Sequence, residues 1–188
     1  MRIAAAVLVF VASFALRPLT AQDTFTRLGQ GWIGYVTEKE LEGTQLRAAF
    51  KAEDDADPSQ WAGTGSNMLN GMWSAIEDDG GIALICEEKQ PPGVVFFGTD
   101  FLSTSGEKVR LSYRIDDGDV RRDFVKVGAF LRNQSAGWVR DKASKFVASL
   151  AGHRELVFSL SDYHGDPAGT MRIELTGLAA AREFTRCL

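Results

Sequence analysis

The sequence predicts a mainly β protein: an antiparallel β-sandwich with two short helices, the C-terminal one tied by a disulfide. Three observations carry this. Val109, Leu111, Tyr113 and Ile115 alternate with polar neighbours and run into Asp116-Asp117-Gly118, a hairpin turn signal. Leu156, Phe158 and Leu160 alternate in the same way, as do Met171, Ile173 and Leu175, on either side of the Gly- and Pro-rich stretch 165–169. The only two cysteines, Cys86 and Cys187, suit one staple.

In chain order, Met1 and Arg2 give a charged start and Ile3 to Leu16 an unbroken run of apolar and small residues. Arg17-Pro18 breaks the run, and Ala21 is a small residue before Gln22. That order predicts a secretory signal peptide over residues 1–21 and a single exported domain over 22–188. The apolar run is too short to span a bilayer and no second one follows, so no integral membrane segment is expected after cleavage. No cysteine sits just after the cut, so no lipid anchor is expected there.

Residues 22–71 are the least legible part. Gly31 to Val36 and Gln45 to Lys51 have strand composition, whereas 53–71 is acidic, then rich in Gly, Ser and Asn, as in a long loop. Residues 72–188 hold the expected core. Ile82 to Glu87 and Val94 to Gly98 read as strands separated by Gln90-Pro91-Pro92-Gly93, and Met72 to Ile76 is predicted to pair with Ile82 to Cys86 across Asp78-Asp79-Gly80-Gly81. The strand ending at Ile115 returns over Val120 to Phe130. Asp141 caps a helix through Ala151, with Ala143, Phe146, Val147 and Leu150 on one face and Gly152 as its stop. Leu178 to Cys187 forms the last helix, with Leu178, Ala181 and Phe184 on a shared face.

Signal cleavage removes Arg2 and Arg17, so the formal net charge moves from −4 to −6. An acidic chain argues against nucleic acid or anionic lipid as partner, since both need a basic face, and no run of Lys and Arg exceeds Arg121-Arg122. In an oxidising space the cysteines are expected to pair. An intramolecular 86–187 bridge would close a loop of about 100 residues, worth at most about 4–5 kcal/mol in chain-entropy models. An intermolecular bridge or two buried thiols are the alternatives. No C-x-x-C motif suggests redox chemistry.

Catalytic spacing is sparse. His153 and His164 have no second ligand at metal-binding spacing and read as surface loop residues, so no metal or other cofactor is expected. Ser161-Asp162-Tyr163-His164 contains triad residue types, but adjacency is not triad geometry and no G-x-S-x-G elbow accompanies it. The run reads as a strand end entering a turn. Asp78-Asp79 and Asp116-Asp117 with Asp119 sit where strands reverse, as Asp commonly does. Asp54, Asp55 and Asp57 read the same way but have the best claim to a further role. With Trp61, the tryptophan expected to be exposed in the same long loop, they are the candidate binding residues. Trp32 and Trp73 read as core.

The order of pieces from Ile82-Ala83-Leu84-Ile85-Cys86 through VRLSYRIDDG (109–118), FVASLAG (146–152), the 156–162 strand and MRIELTGL (171–178) to Cys187 resembles a group of small exported bacterial β-sandwich proteins. They include the periplasmic accessory proteins associated with type VI secretion. A fainter likeness runs to the invasion-associated locus B family. The resemblance covers about residues 72–188 and implies a periplasmic Gram-negative protein with one Cys-to-Cys staple and no known catalytic residues. Over 22–71 the chain lacks the cysteine-bearing segment common in the secretion-associated members.

The expected function is that of a non-catalytic periplasmic interaction or accessory protein with an envelope protein as partner. The alternative is a glycan or small-ligand binder using Trp61 and the 53–57 loop. A hydrolase built on His164 and Asp162 is the third and least supported reading.

Overall fold

The computed structural model describes residues 24–39, 44–52, 80–98, 102–103, 106–128, 135–139 and 141–188. The expected signal peptide, the Met72 to Ile76 strand, Trp73, and the candidate binding residues Asp54, Asp55, Asp57 and Trp61 lie outside them.

The described chain is mainly antiparallel β with two helices, as the sequence predicts. Its strands are β1 (Thr24–Gly29), β2 (Trp32–Lys39), β3 (Thr44–Ala52), β4 (Gly81–Glu87), β5 (Gly93–Phe97), β6 (Lys108–Ile115), β7 (Arg121–Val127), β8 (Ser135–Val139), β9 (Glu155–Leu160) and β10 (Met171–Glu174). The helices are α1 (Asp141–Leu150) and α2 (Leu178–Thr185). All ten strands join one sheet in the order β1-β2-β3-β4-β5-β8-β7-β6-β9-β10. The meander β1–β5 meets the meander β6–β8 at one seam, where Phe96 of β5 pairs with Ala136 of β8, and the β9–β10 hairpin adds on beside β6.

The two layers of the expected sandwich are halves of this single sheet folded over on itself. Phe96 in β5 lies edge-on to Phe158 in β9, four places away in the sheet, with ring centroids 5.1 Å apart. Helix α1 fills the fold: its Phe146 ring meets Phe96 at 5.4 Å and Tyr113 at 5.3 Å. Ala143, Val147 and Leu150 are buried beside it, matching the face read from the sequence. Burying side chains the size of Phe146, Val147 and Leu150 stabilises by about 1.5–3 kcal/mol each.

Helix α2 lies across β1 to β4 on the same inner face. Trp32 donates its indole N–H to the Thr176 carbonyl at 3.1 Å, just before the helix. Phe184 rests over Gly34 of β2, where a Cβ would stand 2.6 Å from the ring, so only glycine fits. Beyond the helix, Cys187 forms the disulfide to Cys86 of β4, with Cα atoms 5.9 Å apart and a sequence separation of 101. The bridge is intramolecular.

The two halves of the sheet differ in burial. In β2 to β5 both faces are covered: Leu84, Val94 and Phe96 join the inner core, while Ile33, Phe50, Ala83, Val95 and Phe97 are buried on the other face. This explains the continuous apolar runs at 82–86 and 93–97. In β6 and β7 burial alternates, so one face packs on the core and the other meets water.

Candidate binding face

The open face of β6 and β7 is strongly basic. Directly paired residues in an antiparallel ladder project to the same side. Lys108 pairs with Lys126, Arg110 with Phe124 and Ser112 with Arg122. Arg114, two residues beyond Ser112, continues the row. One face therefore carries Lys108, Arg110, Arg114, Arg122 and Lys126 around the ring of Phe124. All but half-buried Arg114 are exposed, and Phe124 keeps 61 % of its surface in water. Like charges placed directly opposite one another destabilise a sheet, so the Lys108–Lys126 pair is not explained by folding.

These cations have few acidic neighbours. Among the described residues, Lys108, Arg122 and Lys126 make no ion pair. Nε of Arg114 is buried without a hydrogen-bond partner. Arg172 of β10 is paired with Glu155. On the opposite side of β7, Lys142 binds Asp123 at 2.9 Å. Burial raises the Asp123 carboxyl, but the Lys142 and Phe124 N–H hydrogen bonds outweigh it and leave it below the ordinary value.

At one end the face drops into a cleft of about 280 Å³ between the hairpin and the 161–165 turn. Phe124, Arg110 and Lys108 form one wall. Tyr163, exposed by 64 %, lies tilted against the His164 ring with centroids 3.7 Å apart on the other. The turn is pinned. Arg110 donates from its guanidinium to the Gly165 carbonyl at 2.7 Å and from its backbone N–H to Ser161 Oγ at 2.9 Å. Asp162 Oδ1 accepts the N–H groups of His164 and Asp166, each at 2.9 Å. Ser103 donates to Glu107 at the rim.

The sequence-derived candidates fall as follows. Ser161 and Asp162 serve the backbone of a turn, as expected, and among the described residues no side-chain relay joins Ser161, Asp162 and His164. His153 follows α1 and binds Asp116 through Nδ1 at 2.9 Å. Asp116 also accepts the N–H groups of Arg154 and Glu155, each at 2.9 Å. His153, then the backbone of Glu155 and Arg154, hold the Asp116 carboxyl at about 2, below its ordinary 3.8. Among the described residues, no three metal-ligating side chains come together and no helix is long and apolar enough to cross a membrane.

Linear reading missed the basic face because its charges never adjoin in sequence. The signal was alternation: Lys108, Arg110 and Arg114 at even steps, then Arg122 and Lys126, with the register set by the turn at 116–118. No protein-family model, curated protein or solved structure matches the chain.

Proposed function

We propose that the protein is a non-catalytic accessory module of the periplasm that docks an acidic segment of an envelope protein on the open face of β6 and β7. The observation that supports this is the convergence on one sheet face of cations without acidic partners and an exposed phenyl ring. Alternate residues along a strand repeat at about 6.8 Å, so the rows Lys108–Arg110 and Arg122–Lys126 match the side-chain repeat of an extended acidic peptide. Phe124 supplies the apolar anchor, and the charges supply orientation and encounter rate. The expected signal peptide and the disulfide support an oxidising compartment.

The test is capture by a photo-crosslinking residue at position 124 in the periplasm, combined with binding of a glutamate-rich peptide in solution. The proposal expects an acidic envelope protein in the crosslink, and peptide binding that Lys108→Glu and Phe124→Ser both weaken. Undiminished peptide binding by Lys108→Glu would overturn it. Binding of cell-wall sugars with no peptide binding would favour the glycan reading instead.

A further inference from the structure

The cleft at the end of the β6–β7 face opens where β9 leaves β6. Strand β9 pairs with β6 as far as Leu160, opposite Leu111. One more rung follows, in which Ser161 donates its N–H to the Arg110 carbonyl at 2.9 Å, and the chain then turns over 161–165. Lys108 thus lies beyond the last β9 rung. On the other side of β6, Val127 donates its N–H to the Glu107 carbonyl at 2.8 Å, and Lys108 pairs with Lys126 at the next step. Antiparallel ladders alternate bonded and unbonded pairs, so the Lys108 N–H and C=O face away from β7, toward the side that β9 has left. Lys108 lines the cleft, and among the described residues its main chain makes no hydrogen bond.

The side chains around this stub are aromatic. Among the described residues three large apolar side chains stand exposed, Val120, Phe124 and Tyr163, and two of them line this one cleft. Arg110 ties their walls together: it is the ladder partner of Phe124, and its guanidinium donates to the carbonyl of Gly165, two residues after Tyr163. Glu107, which accepts from Ser103, adds a carboxylate at the rim.

We infer that this cleft takes an aromatic side chain, tryptophan being the best match, from the acidic segment docked on the face, with the segment's main chain bonded to Lys108. The inference rests on the docking reading above and adds to it what the partner must carry. Rings pack favourably against rings and against a planar guanidinium, and the indole N–H is a donor that a carboxylate accepts. An aliphatic side chain gains neither. Because the cleft lies at one end of the face, the aromatic residue flanks the acidic stretch.

The experiment is calorimetric titration of the oxidised protein with three glutamate-rich peptides of equal charge, carrying Trp, Leu or Ala at both ends. Amide hydrogen exchange is followed with and without the Trp peptide. That peptide should bind about tenfold more tightly than the other two and should slow exchange at the Lys108 amide. Tyr163→Ala, at an exposed turn position, should cut the preference to about twofold or less. Val120→Ser, exposed but outside the cleft, should keep it. Equal binding of the three peptides would overturn the inference and leave the docking reading standing, whereas binding of none would overturn both. The inference also falls if the Leu peptide matches the Trp peptide, if the preference survives Tyr163→Ala or is lost on Val120→Ser, or if the bound Trp peptide leaves the Lys108 amide unprotected.

Discussion

Lys108 of β6 and Lys126 of β7 are ladder partners, so two ammonium groups stand side by side on an open sheet face. Lys126→Glu would turn that repulsion into a cross-strand attraction. The variant should be more stable by about 0.2–1 kcal/mol and should bind a glutamate-rich peptide less tightly. Thermal melting and peptide titration on the same sample check both signs. A variant that loses stability would show that the lysines serve the fold.

Gly34→Ala should destabilise the protein by about 1–3 kcal/mol, because the new methyl would stand 2.6 Å from Phe184 Cζ and the ring must move. Adding Phe184→Ala should cost less than the sum of the two single changes, since the clash disappears with the ring. Denaturant midpoints of the four proteins in the cycle measure the coupling.

Reducing the Cys86–Cys187 bridge should lower stability by a few kcal/mol, with about 4–5 as the ceiling for a loop of this length. Hydrogen exchange should rise first in α2, whose end the bridge ties to β4. An unchanged melting temperature on reduction would mean that packing of Leu178 and Ala181 holds the helix unaided.

Asp116 makes the fold acid-sensitive. Its carboxyl is held at about 2 in the folded protein against an ordinary 3.8, so the contribution is complete above the higher value and is lost as pH falls through the lower one. Asp116→Asn should lower the melting temperature at pH 6 and flatten its decline between about pH 4 and 2. Parallel decline in the variant and the parent would remove Asp116 as the cause.

Much of the second half was legible because one face of its strands is wet. Val109 to Ile115 and Leu156 to Leu160 alternate, the 116–118 turn fixes their reversal, and Asp141 and Gly152 bracket α1. Compartment and parity likewise pointed to the Cys86–Cys187 pairing. Strands buried on both faces lose their period, so 31–36 and 45–51 read only as strand composition although all but Gly31 lie within β2 and β3. The described return strand is Arg121–Val127, and the expected end at Phe130 lies outside the described residues. Strand β8 was not foreseen: Ser135 to Val139 offers two small residues and a glycine, and Gly137 is needed because Val94 O passes 2.3 Å from where a Cβ would lie. The basic face required register as well as composition.

The disulfide spans most of the folded unit, and this bears on how the protein ages among proteases. A single cut anywhere between residues 86 and 187 leaves two fragments still covalently joined. Strands β6 to β10 would be severed from β1 to β5 in the chain yet tethered to them, with α2 still strapped across β1 to β4. Nicking therefore does not release the halves, and the seam between β5 and β8 can re-form within one molecule. Loss of the protein takes two events, a cut and a reduction, where an unbridged chain would need one.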